Sequence, residues 1–179
     1  MNLFTRVLFL ALGVTATGNR PNWKDLETAL NTGDRIWVTH RSYLRESNGE
    51  THRCVYALRS SLYGVNYEFD QYYDHGNQRK TRHLFGEISQ DTTSNSAVLT
   101  VSEKQGQQGI PYTLKFWDEN RHCGVLTFTE RGVFKCELHI WERNLESTES
   151  CLRDYQTVCS GEHSYPVYDS GCFSRTSGK

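Results

Sequence analysis

The residues from Val133 to Trp141 alternate apolar and polar with period two, the signature of a half-buried strand. One face of that strand carries Phe134, Cys136, Leu138 and Ile140. The other carries Lys135, Glu137, His139 and Trp141. Just downstream, Cys151, Leu152, Tyr155, Val158 and Cys159 recur at the spacing of one face of an amphipathic helix. Ser147 or Thr148 can cap its start, and Glu149 falls in its first turn. Two cysteines on the apolar face of one helix predict a helix stapled to what it packs on. If Cys136 bonds that helix outside a sheet, then Glu137, His139 and Trp141 turn inward, toward whatever the sheet encloses.

The rest of the chain is read around that constraint. At 179 residues it suits one domain with a sizeable core. A formal charge of −1 supplies no field that attracts nucleic acid or an anionic membrane. The six cysteines include no Cys-x-x-Cys pair and no Cys/His cluster at zinc-finger spacing, so no metal site is expected. They read instead as three disulfides formed in an oxidising compartment. A basic start at Met1–Arg6, a short apolar run at Val7–Val14 and the small residues Val14-Thr15-Ala16 read as a signal peptide. Cleavage is expected after Ala16 or Gly18. The run is too short to span a bilayer, so the expectation is a secreted monomer without a membrane span.

In chain order, Asn22 caps a short helix with Trp23, Leu26 and Leu30 on one side and Gly33 as its stop. Strands follow at Arg35–Arg45, His52–Ser60, Leu62–Tyr73, Arg79–Ser89, Asn95–Glu103, Pro111–Trp117, His122–Thr129 and Val133–Trp141. Asn48-Gly49 marks the first hairpin turn. Tyr165–Asp169 is expected to add a short final strand. Eight antiparallel strands of similar length, joined by short turns, pose an edge problem that closure removes. The expected fold is therefore all-β, an eight-stranded up-and-down barrel with a short N-terminal helix and one C-terminal helix packed outside. A sandwich is the alternative, but it does not readily explain the late cysteine-bearing helix. Small barrels have room for side chains or one small ligand.

Asn22-Trp23-Lys24, Arg53-Cys54-Val55, Cys123-Gly124-Val125, Cys136-Glu137-Leu138, Cys151-Leu152 with Cys159, and the late Tyr168 and Cys172 together carry a family pattern. In layout the mature chain resembles the tick salivary lipocalins, the group of the histamine-binding proteins and of a sterol-binding, japanin-like branch. The resemblance implies a lipocalin domain over residues 19–173, preceded by the signal peptide at 1–16 and followed by a disordered tail at 174–179. It also implies the pairings Cys54–Cys172, Cys123–Cys151 and Cys136–Cys159, and secretion in saliva.

Amine binders of this family carry Cys-Asp-Val/Ile in the seventh strand, Glu-Leu-Trp/Tyr in the eighth and a carboxylate on the sixth. Here Gly124 stands in place of the Asp, His139 in place of the aromatic, and Leu114 at the acidic position of the sixth strand. Glu137 alone remains. A dication in a partly dry pocket needs opposite charge and aromatic faces, and losing ion-pair partners there costs orders of magnitude in affinity. The resemblance with these departures implies a small hydrophobic ligand, a sterol or a lipid such as a fatty acid or leukotriene, and a role in modulating host immune or inflammatory responses. Scavenging of histamine or serotonin is the runner-up. A third reading is a protein-binding immune effector that uses the barrel as a scaffold.

With Cys123 outward, Gly124, Leu126 and Phe128 face inward, joined by Tyr112, Leu114 and Phe116 if the neighbouring strand keeps phase. The ligand-binding set is Tyr43, Tyr112, Leu114, Phe116, Leu126, Phe128, Glu137, His139 and Trp141. Each has a bland reading beside it. The apolar stripe can be solid core, Glu137 a rim carboxylate paired with an arginine, and His139 a satisfied core histidine or a pH switch. Trp37 and Tyr43 can stack on a ligand or plug the closed end. The basic run Arg79–His83 reads as a solvated strand edge. No Gly-x-Ser-x-Gly elbow, phosphate-cradling glycine loop or His-Glu-x-x-His occurs, so neither an enzyme nor a cofactor is expected.

Overall fold

The computed structural model describes residues 20–176, and side chains to residue 173. The expected signal peptide and the last residues of the expected tail lie outside them. Helix α1 (Trp23–Leu30) opens the domain. The side chain of Asn22 accepts from the Lys24 and Asp25 amides, and Asp25 accepts in return from the Asn22 amide at 2.7 Å, a closed capping box. Leu26, Ala29 and Leu30 form its buried face. Trp23, expected on that face, is 43% exposed at the margin of the first turn, beneath the Lys24 ammonium.

Strands β1 (Ile36–Arg41), β2 (Glu46–Ser47), β3 (Glu50–Tyr63), β4 (Asn66–His75), β5 (Gln78–Gln90), β6 (Ala97–Ser102), β7 (Ile110–Asp118), β8 (Cys123–Glu130), β9 (Val133–Trp141) and β10 (Tyr165–Pro166) form one antiparallel sheet. β3 to β9 pair in sequence, and β1 pairs with both β9 and β3, which closes a barrel of eight strands with β2 and β10 appended. A sandwich is thereby excluded. Asn48 and Gly49 both take positive φ in the β2–β3 turn, as a tight right-twisted hairpin requires. The next turn is not where the alternation places it. β3 continues through Tyr63, and Gly64 at φ +59 makes the bend. Tyr63 and Val65 are consequently exposed, and the inward series begins at Tyr67.

Closure between β1 and β3 is narrow. Only Ile36 with Ala57 and Trp37 with Tyr56 pair directly. Beyond them the C-terminal segment enters the gap: the Val167 amide donates to the Thr39 carbonyl and the Cys54 amide to the Val167 carbonyl. The Cys54–Cys172 disulfide fastens that wedge, with Cys172 on a last helix, α3 (Gly171–Thr176). Trp37 neither stacks in the lumen nor plugs the floor. It is fully buried outside the wall among Tyr56, Tyr168 and Phe173, its indole nitrogen 3.3 Å from Glu142.

Helix α2 (Thr148–Val158) lies outside β8 and β9. Cys123, Val125, Cys136, Leu138 and Ile140 pack against Cys151, Tyr155 and Cys159 there, and Cys123–Cys151 and Cys136–Cys159 join the two layers. All three implied pairings are present. The sulfur of Cys136 thus points out of the barrel, and the alternate residues of β9 point in.

Candidate functional site

A cavity of about 660 Å³ occupies the barrel, within the size range of small-molecule sites. Its lower part is apolar: Leu30 of α1 and Ile36, Tyr67, Phe69, Leu84 and Leu99 line it. The period-two pattern of β4 and β5 puts these side chains inward, and α1 closes that end of the barrel. Its mouth is charged, with Arg45, Glu46, Arg82, Glu103, Glu130 and Arg131 around it.

Between floor and mouth stands a hydrogen-bonded group. The Tyr43 hydroxyl donates to Glu137 Oε1, and His139 Nε2 lies 3.0 Å from Glu137 Oε2. Both carboxylate oxygens are therefore occupied by the protein itself. Burial alone would raise the Glu137 pKa, but the hydrogen bond and charge of His139, the Tyr43 hydroxyl and the Arg41 guanidinium outweigh it and hold it at about 2. Burial and the Glu137 charge push the Tyr43 and Tyr112 phenols up, so both remain neutral donors. The Tyr43 ring meets Phe128 edge-on at 5.8 Å, and Lys135 lies 4.4 Å above it.

Of the expected ligand set, Tyr43, Tyr112, Leu126, Glu137 and His139 line the cavity. Phe128 is buried behind the two tyrosines, 4.2 Å from Tyr112. Leu114 and Trp141 belong to the packed core at the closed end, Trp141 against Trp117 at 4.8 Å. Phe116 is a correction. Leu114 pairs with Leu126 but Phe116 with Val125, so a bulge at Lys115 reverses the phase of β7. Phe116 therefore faces outward with the α2 layer, beneath Arg121.

Arg45 and Lys135 line the cavity and were not among the expected site residues. Lys135 lay on the inward side of the period-two pattern. Arg45 was hidden by the expectation that the first strand runs to it. β1 ends at Arg41, and the segment from Ser42 to Arg45 bends across the mouth.

Gly124 explains the missing acidic position in space as well as in sequence. A β-carbon there would meet the Phe116 carbonyl oxygen at 3.2 Å, Leu114 Cδ1 at 3.4 Å and Trp117 Cε3 at 3.5 Å. The carbonyl contact is tight and the two side-chain contacts are ordinary, so an aspartate in that place would crowd the β7 backbone and stand among apolar neighbours. Among the described residues no cluster of three or more metal-ligating side chains occurs, and no helix is long and apolar enough to cross a membrane.

A closed antiparallel barrel with an internal cavity, a helix across one end and a helix against its wall defines a lipocalin. The chain belongs to the tick histamine-binding protein family, whose model matches residues 17–174. Among solved structures it is similar to AM182 in its serotonin complex, with a TM-score of 0.57 and 15% identity over 82% of this chain and 91% of that one. It is also similar to japanin from Rhipicephalus appendiculatus bound to cholesterol, with a TM-score of 0.56 and 17% identity over 81% of this chain and 98% of that one. No curated protein sequence matches the chain.

Proposed function

We propose that this protein is a secreted salivary binder that sequesters a small hydrophobic molecule, a sterol or another lipid such as a fatty acid or leukotriene, and thereby dampens host immune or inflammatory responses. Its apolar portion fills the floor above α1, and a polar group meets Tyr43, Tyr112 or His139. The observation that carries the reading is the state of the acidic positions. Gly124 is walled by Leu114 and Trp117, and the one carboxylate left, Glu137, already accepts from Tyr43 and lies against His139.

An amine entering this neck would have to displace those partners and would meet Arg45 and Lys135. Uncompensated buried charge costs several kcal/mol. Sequestration of this kind is stoichiometric and needs tight binding rather than turnover, which fits a binder and not a catalyst. Titration calorimetry of the disulfide-intact protein with cholesterol, a long-chain fatty acid, histamine and serotonin tests the reading. Saturable uptake of a lipid with no heat from the amines is expected. Tight amine binding without lipid uptake would refute it.

A further inference from the structure

Four arginine and lysine side chains line the cavity, and three of them are accounted for. Arg82 pairs with Glu103 at 3.2 Å and Lys135 with Glu130 at 2.5 Å, while Arg131 sits on the exposed β8–β9 turn. Arg45 is different. It is half-buried and has neither an ion-pair nor a side-chain hydrogen-bond partner among the described residues. Its backbone is fixed, because its carbonyl accepts from the His52 amide at 2.8 Å where the β2–β3 hairpin folds back.

The guanidinium is bracketed from several sides. Its charge acts on His52 at the mouth and on Tyr112 within the cavity, and it in turn feels Tyr43, Glu137 and Glu130. The two nearby carboxylates make their contacts elsewhere: Glu137 with Tyr43 and His139, and Glu130 with Lys135. A partly buried guanidinium with an unfilled fork, above an apolar floor, is a receptor for a planar anion.

We infer that Arg45 is the head-group anchor of the cavity and that the ligand is an acidic lipid, its carboxylate on Arg45 and its hydrocarbon chain directed toward α1. This deepens the proposed function and rests on it, since it presumes a hydrophobic guest in the barrel. Within that reading it selects carboxylated chains over neutral sterols and excludes cationic amines.

The test compares palmitic acid with its methyl ester by calorimetry at neutral pH. The two share a hydrocarbon chain and differ in charge. The wild-type protein should prefer the acid by about tenfold or more, the usual scale of a charge-assisted bidentate contact. Arg45→Gln should abolish the preference while binding the ester as before, Arg45→Lys should keep part of it, and Arg153→Gln, on the exposed side of α2 away from the cavity, should keep all of it. Circular dichroism confirms that each variant is folded. Equal binding of acid and ester by the wild type, or a preference that survives Arg45→Gln, would overturn the assignment. Uptake of the ester and of cholesterol alone would overturn only the anchor. Failure of acid, ester and sterol alike would overturn the lipid reading with it.

Discussion

Glu137 and His139, two residues apart on β9, both turn into the barrel and lie 3.0 Å apart, Oε2 to Nε2. Cys136 and Leu138, their neighbours on the same strand, face the other way beneath α2. One strand thus separates a covalently stapled outer layer from a polar group inside, and each layer can be perturbed without the other.

Removing the carboxylate should cost stability. Glu137→Leu leaves the Tyr43 hydroxyl and the His139 ring without their partner in a buried setting, a loss of about 2–4 kcal/mol. Urea denaturation with and without the substitution measures it. An unchanged midpoint would show that the group contributes nothing to folding.

Among the groups depressed in the folded state, the two shifted furthest, His52 and Glu137, make the fold acid-labile in successive windows. Burial first, then the charges of Arg45 and Arg41, depress His52 from 6.5 to about 4. Between those values the unfolded chain binds a proton that the folded one does not, so stability falls as the pH drops through that window. Glu137, depressed from 4.5 to about 2, does the same in the lower window: its contribution is complete above 4.5 and is lost as the pH approaches about 2. Each window corresponds to about 3 kcal/mol before screening, and solvent at the cavity mouth reduces the share of His52. Denaturation curves from neutral pH downward should show both losses, and His52→Phe should flatten the upper window. Constant stability through both windows would contradict these environments.

The disulfides of α2 should matter to stability and not to binding. Replacing Cys136 and Cys159 together by alanine removes a link worth about 2–4 kcal/mol. The cavity lies on the opposite face of β9, so the variant should still take up ligand with wild-type stoichiometry at temperatures where it is folded. Loss of uptake from the folded variant would show that the outer layer shapes the lumen.

The reversed phase of β7 gives a paired test. Leu126→Arg puts a charge into the cavity and should abolish lipid uptake while the barrel still folds. Phe116→Ala, partly buried on the α2 side, should lower stability by about 1–2 kcal/mol and leave affinity unchanged. The opposite outcome would reverse the assigned faces.

Much of this architecture is legible in the residues. Period-two patterning in Val133–Trp141 and helical spacing in Cys151–Cys159 set the orientation of β9, and the Asn22 cap and the Asn48-Gly49 turn stand where their chemistry requires. The particular disulfide pairing was not legible from spacing and came through the family resemblance. Local irregularity hid the rest. Alternation cannot show one extra residue, so the bulge at Lys115 misplaced Phe116, and the extension of β3 to Tyr63 moved a turn. Arg45 escaped because periodicity does not mark where β1 stops pairing and the chain turns over the mouth. Trp141 was correctly turned inward, but no local pattern distinguishes a floor residue from a ligand contact when α1, far away in sequence, decides which it is.

The central claim is that the barrel holds a hydrophobic guest. Organic extraction of the protein purified from its native source, followed by mass spectrometry of the extract, tests it most directly. The account predicts one lipid at close to one molecule per chain, released only on denaturation. A protein that yields no lipid, and carries histamine or serotonin in its place, would contradict it.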